Sequence, residues 1–325
     1  MLSQIYSRKI IQHVAAGARN FYRNSYDSNQ DATEVEIPVP WGKIAGKWWG
    51  PKDRQPILAF HGWQDNAATF DTLIPFLPKG TSVLAMDMPG HGYSSWLPAG
   101  IPYSLMNTVL LVKRIVKYYD WRKVKFMGHS MGSMVVFLYA SYFPQEMDFG
   151  IGIDLVKPPS IDVNKYSKII AEHAENILRI EARTTDPPTY GDEEIMHKWI
   201  KGTQYSLDEA ACRLLMKRGV KEVGKGEFIF SKDPRLITYT SFDSGYTHDH
   251  ILKLAEQITC PYRLIKASDS PFYQDKNLVL ETVEKMSINS SDFAYTVVPG
   301  KHHLHLTHPE RVTEILNPFL EKHNK

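Results

Sequence analysis

Short, almost uninterrupted apolar runs recur along this 325-residue chain, at Ile57-Leu58-Ala59-Phe60, Val83-Leu84-Ala85-Met86, Val124-Lys125-Phe126-Met127 and Phe149-Gly150-Ile151-Gly152-Ile153. Helix-length amphipathic stretches lie between them, notably 106–119 and 132–143. Strands that are apolar on both sides must be covered on both sides, so the pattern predicts a mostly parallel α/β sheet flanked by helices. Two strands at 33–38 and 43–49, joined through Pro40 and Trp41-Gly42, form an opening hairpin. After a gap, the alternation resumes with a strand at 261–267, a helix around 277–286, a strand at 293–298 and a closing helix at 309–320, which makes eight strands. From 157 to 255 the strand signal fades into helical patterns at 166–180, 193–201 and 207–218. That segment is expected to be an inserted helical cap above a site built on the sheet. The expected organisation is an N-terminal extension at 1–30, a core at 31–156 and 256–325, and the cap at 157–255.

Composition narrows the function. Apolar residues make up 43% and charged residues 23%, as in ordinary soluble globular proteins. The formal net charge is only +2, with Lys and Arg scattered among Asp and Glu, so nucleic acid is not expected as a partner. Cys212 and Cys260 are the only cysteines; they suit a reducing compartment and form no metal-ligand spacing. No cofactor fingerprint or metal set is read. No apolar run reaches the roughly eighteen residues of a membrane span, so a soluble chain is expected. The first 26 residues carry Arg8, Lys9, Arg19 and Arg23 and no acid, which suits either a mitochondrial transit peptide or a docking extension. The ending His323-Asn324-Lys325 is not a peroxisomal S-K-L signal, so the expected location is cytoplasmic or mitochondrial.

The chemistry concentrates at Gly128-His129-Ser130-Met131-Gly132, a G-x-S-x-G motif between an apolar strand and a helix. In that context the chain bends sharply and lifts a serine hydroxyl clear of the sheet, with glycines where side chains would collide. The helix start beside it favours developing negative charge. Ser130 is therefore the candidate nucleophile rather than a simple helix cap. His61-Gly62-Trp63 follows the strand 57–60, where the second oxyanion donor belongs, so the backbone N–H groups of Trp63 and Met131 are the candidate oxyanion hole. The His61 ring is expected only to tie its loop, and Asp87 and His91 only to stabilise a turn.

Pro299-Gly300-Lys301-His302-His303-Leu304-His305 follows the last strand. His302 comes first after the glycine and is the candidate base, with His303 as fallback. Two carboxylates can orient it. Asp154 ends the strand around 149–153, and Asp269 follows the strand around 261–267; Asp154 is preferred and Asp269 is the alternative.

These residues, with Val39-Pro40-Trp41-Gly42-Lys43-Ile44-Ala45, His61-Gly62-Trp63-Gln64-Asp65-Asn66, Leu73-Ile74-Pro75-Phe76-Leu77-Pro78 and Asp233-Pro234-Arg235-Leu236, resemble the serine hydrolase-like proteins of animals, including the insect Kraken group. The resemblance runs from about Glu34 to Leu320. It implies an α/β-hydrolase fold with a helical cap, a serine hydrolase activity, and an acid at the position of Asp154; it also brings a peroxisomal location into consideration. The expected partner is a small acyl or lipid-like substrate. Related folds that open epoxides or remove halogen use an aspartate where this chain has Ser130. A binding protein that kept the fold and an acyltransferase using the same residues are the alternative functions.

Overall fold

A computed structural model of the chain describes residues 11–13, 32–238 and 245–325. Apart from the three-residue strand β1 (Ile11–His13), the basic N-terminal segment lies outside the described residues. The other strands of the main sheet are β2 (Thr33–Val39), β3 (Gly42–Trp49), β4 (Ile57–Phe60), β5 (Val83–Met86), β6 (Val124–His129) and β7 (Met147–Ile153), then β10 (Tyr262–Ala267) and β11 (Phe293–Val298). Their order is β1-β11-β10-β7-β6-β4-β5-β3-β2. Only β3 runs against its neighbours. The eight expected strands are thus present, and β1 adds a ninth at the edge by pairing parallel to β11.

The side-chain alternation of each central strand divides it between two cores. Leu58 and Phe60 of β4 and Leu84 and Met86 of β5 pack on one face, with α1 (Leu105–Tyr118), α2 (Met131–Tyr142), α6 (His248–Ala255) and α7 (Lys276–Asn289). Ile57, Ala59, Val83 and Ala85 point the other way, onto Phe70, Leu73 and α9 (Pro309–His323). This is why those strands read as continuous apolar runs. Gly150 supplies the gap that the Tyr262 ring fills, since a Cβ there would lie 2.5 Å from that ring.

Above the sheet, α3 (Val163–Glu181), α4 (Asp192–Gly202) and α5 (Glu209–Gly219) carry the expected helical patterns. The same segment also holds an antiparallel hairpin, β8 (Val220–Gly224) and β9 (Glu227–Phe230), which helical periodicity did not disclose. Ile195, Met196, Trp199, Leu215 and Met216 form their own core with Leu306, so Met196, Trp199 and Met216 are packing residues. Arg218, at the end of α5, reaches down to buried Asp87 at 2.7 Å and also pairs with Glu34. Asp87 additionally accepts from the N–H groups of Ala67 (2.8 Å) and Tyr93 (2.9 Å), so it fixes the loop after β5 to the segment above it. No helix among the described residues is long and apolar enough to cross a membrane.

Candidate active site

At the end of β6 the chain turns into α2 through Ser130, whose φ of 54° and ψ of −116° lie in a region that side chains seldom occupy. The bend survives because its neighbours over-determine it. The Ser130 N–H donates to the Ile153 carbonyl of β7 at 2.9 Å, and the Ser133 hydroxyl donates to the Gly128 carbonyl at 2.8 Å. A Cβ on Gly128 would run into the Gly132 carbonyl, and one on Gly132 into the carbonyl of Phe60 in β4.

The short α8 (Leu304–Thr307) follows the turn after β11, and just before it His302 is brought over the sheet. Its Nε2 lies 3.0 Å from Ser130 Oγ, and its Nδ1 lies 2.5 Å from Asp154 Oδ2. Asp154 comes off β7 with φ 68° and is held by a 2.6 Å hydrogen bond from its N–H to the Ile265 carbonyl of β10. The structure therefore brings Ser130, His302 and Asp154 together. It leaves Asp269 exposed, accepting from the Ser268 hydroxyl at 2.8 Å.

Burial would push the Asp154 carboxyl up. The hydrogen bond from His302 and the charge of Lys266 outweigh this and hold it well below the usual carboxylate range. With Asp154 ionised, Nδ1 of His302 keeps its hydrogen and Nε2 offers a lone pair to the serine hydroxyl. Burial holds His302 below the usual imidazole value, against the upward pull of the hydrogen bond with Asp154.

Three further contacts saturate the Asp154 carboxylate. Lys266 Nζ donates to Asp154 Oδ1 at 2.7 Å, the Ala267 N–H to the same oxygen at 3.0 Å, and the Ser270 hydroxyl to Oδ2 at 2.5 Å. Lys266 also donates to the carbonyls of Ser270 and Pro271, fixing the turn that sets the Tyr273 ring 5.5 Å from the His302 ring. The sequence reading passed over Lys266, Ser270 and Tyr273. The available signal was a lysine interrupting the otherwise apolar strand Leu264-Ile265-Lys266-Ala267.

Met131 is the first residue of α2, so its N–H belongs to the helix start, where backbone donors have no intrahelical acceptor. Trp63 follows β4 by three residues. Its indole N–H donates to the Leu236 carbonyl at 2.7 Å, and the next residue, Gln64, takes φ 64° while its N–H donates to His91 Nε2 at 3.1 Å. Lys232 Nζ donates to the Gln64 side chain at 2.5 Å. His61 accepts from the Met88 N–H at 2.9 Å and lies against the His91 ring, so both rings tie loops together, as expected.

Behind His302 lies a buried group that the sequence reading did not assemble. His303 Nε2 stands 3.2 Å from Asp65 Oδ2, and His129 Nδ1 stands 3.7 Å from the same oxygen. These are residues of the described structure able to hold a metal ion together; they come from three segments distant in the chain, the end of β6 among them, which hides them from spacing rules.

The α/β hydrolase fold model matches residues 55–172. A probable serine hydrolase of Drosophila melanogaster is 36% identical over 292 residues, covering 89% of this chain and 88% of that protein. Serine hydrolase-like protein 2 of Homo sapiens is 30% identical over 297 residues, covering 89% and 94%. Among solved structures, a hypothetical protein of Pseudomonas aeruginosa PAO1 superposes with a TM-score of 0.79 at 28% identity, covering 89% of this chain and 99% of that one. The thioesterase domain of the curacin biosynthetic pathway shares the fold at a TM-score of 0.73 and 19% identity, covering 88% and 98%. With this fold and these relatives over most of its length, the chain belongs to the serine hydrolase-like proteins of the α/β-hydrolase superfamily.

Proposed function

We propose that the chain hydrolyses an ester-like or other acyl substrate through an acyl-enzyme on Ser130. The observation that carries this reading is the continuous relay from Ser130 Oγ through His302 to Asp154, at 3.0 and 2.5 Å. As Oγ attacks the acyl carbonyl, its proton moves to His302 Nε2. The imidazolium then returns that proton to the departing alcohol or thiol. A water deprotonated by the same nitrogen attacks the acyl-enzyme, and release of the acid regenerates Ser130. Asp154 keeps Nδ1 protonated throughout.

The backbone N–H groups of Trp63 and Met131 receive the negative charge that develops on the carbonyl oxygen; one such donor typically contributes about 2.7–4 kcal/mol to lowering the barrier. Residues 157–255 act as a cap that limits acyl length. The substrate is a small acyl or lipid-like molecule, and the reaction needs no cofactor.

The test is labelling with a fluorophosphonate probe followed by peptide mapping, beside a panel of esters of increasing acyl length. The label is expected on Ser130 and absent from Ser130→Ala. Folded chain that takes up no label and cleaves no ester is a binding protein instead.

A further inference from the structure

We propose that Asp65, His129 and His303 form a binding site for a divalent transition metal, Zn²⁺ foremost, and that a bound ion restrains chemistry at Ser130. The coupling to Ser130 rests on the function proposed above; the site itself does not.

Neighbouring groups aim the donor atoms at one another. A carbonyl can only accept, so the 3.0 Å contact between His129 Nε2 and the His302 carbonyl places the hydrogen on Nε2. In neutral His129, Nδ1 is then bare. It is fully buried with no hydrogen-bond partner, and it faces a carboxylate oxygen 3.7 Å away. His303 Nε2 is turned toward Asp65 and donates its hydrogen to that carboxylate in the metal-free chain. The Ser206 hydroxyl donates to the Thr203 carbonyl at 2.8 Å, so its oxygen, 2.7 Å from His303 Nδ1, can accept the hydrogen when an ion takes its place on Nε2. Each imidazole thus has its far nitrogen anchored to an oxygen and its near nitrogen directed inward, the arrangement metal-ligating histidines adopt.

The dimensions suit a small ion. Two donors on a tetrahedral zinc with bonds of about 2.0–2.2 Å stand about 3.3–3.6 Å apart; here the carboxylate oxygen lies 3.2 and 3.7 Å from the two nitrogens. All three donor atoms fall within 4.8 Å of one another. Two imidazoles and one carboxylate select zinc and its neighbours over magnesium or calcium. A cation between His129 Nδ1 and Asp65 also removes the repulsion between a buried lone pair and a buried carboxylate.

The ion would lie against the machinery. The rings of His129 and His303 stand 4.7 and 5.0 Å from that of His302. A divalent ion balanced only by Asp65 leaves one net positive charge there, and this opposes formation of the His302 imidazolium.

Tag-free, chelator-stripped full-length protein is titrated with Zn²⁺ against a chromophoric chelator, and X-ray absorption at the zinc edge reads the ligands of the complex. The expected result is one ion per chain, held by nitrogen and oxygen with two imidazoles. Affinity should fall about 100-fold or more in Asp65→Asn and His303→Asn and stay unchanged in His197→Gln, on the exposed face of α4. Zinc should slow fluorophosphonate labelling of Ser130 at least about tenfold.

Wild-type binding no tighter than that of Asp65→Asn overturns the site, and so does a zinc sphere lacking two imidazoles. The absorption spectrum of the unaltered chain decides the matter even where a variant fails to fold. Tight zinc binding that leaves labelling undiminished overturns the coupling. Absence of labelling before zinc is added counts against the hydrolase reading while the metal data stand on their own.

Discussion

Replacing Asp154 by Asn separates the two carboxylates more sharply than any other change. In the wild type both oxygens of Asp154 accept hydrogen bonds, from Lys266, Ala267, Ser270 and His302. An asparagine amide nitrogen in the Oδ2 position cannot accept from His302. The imidazole then turns its bare Nδ1 toward the amide and carries its hydrogen on Nε2, where it faces Ser130 as a donor and cannot act as a base. Loss of this tautomer control lowers kcat by about 10⁴ in serine enzymes, or about 5.4 kcal/mol of barrier.

Stability falls as well. Lys266, whose side chain is 3% exposed, loses its only carboxylate partner among the described residues, and breaking a buried pair in this way costs about 3–5 kcal/mol. Asp269→Asn, at an exposed turn, should leave the rate within about threefold and stability within about 0.5 kcal/mol. The double variant Asp154→Asn/Lys266→Met should recover much of the stability and none of the rate, because the orphaned charge is gone while the tautomer remains wrong. Probe-labelling rates and ester turnover measure the first effect, and urea unfolding the second. Asp154→Asn retaining a tenth of wild-type turnover would refute the tautomer argument, as would an Asp269→Asn variant that loses more than Asp154→Asn.

Two further predictions concern the scaffold. Arg218→Met leaves the fully buried Asp87 without its cation and should cost about 3–5 kcal/mol in urea unfolding; a loss under about 1 kcal/mol would show that α5 is not anchored through this pair. Asp292 joins Arg263, Lys322 and His323 near the C-terminus, at 2.7, 2.8 and 2.8 Å. Burial raises its carboxyl, but the hydrogen bonds from Lys322, His323 and Arg263 prevail and depress it well below the usual range. A depressed folded value stabilises the protein above the unfolded value of about 3.9 and is lost as the pH falls further. Asp292→Asn should therefore cost about 1–2 kcal/mol at pH 7, a figure reduced for partial solvent screening, and the cost should shrink steadily as the pH falls below about 4 toward the depressed folded value. Thermal unfolding of both proteins across that range checks it, and a gap that is constant with pH contradicts the assignment.

The main-sheet strands were legible because each central strand is covered on both sides and so reads as an unbroken apolar run. The bend at Ser130 was legible because its steric demands fall on Gly128 and Gly132, two and two residues away. What escaped is what depends on contacts between distant segments. The hairpin β8–β9 shows little burial contrast between its faces, so alternation gave little signal. Arg218 and Asp87 lie 131 residues apart, and Asp65 and His303 lie 238 apart. The choice between Asp154 and Asp269 was hard for a different reason. Both follow the ends of neighbouring parallel strands, and in the fold it is Asp154, turned by its positive φ, whose carboxylate meets the imidazole.

That adjacency gives the acid an unusual freedom. Adjacent strand tips in a sheet stand about 4.8 Å apart, so side chains rooted on two such tips start close to the same point. An imidazole on the following loop can thus be served from either β7 or β10 with the nucleophile undisturbed. A sequence drifting through a state with acids on both tips could hand the role from one to the other without a dead intermediate. Lys266, neutralising one tip from the other, is the bolt that keeps this chain in its present setting.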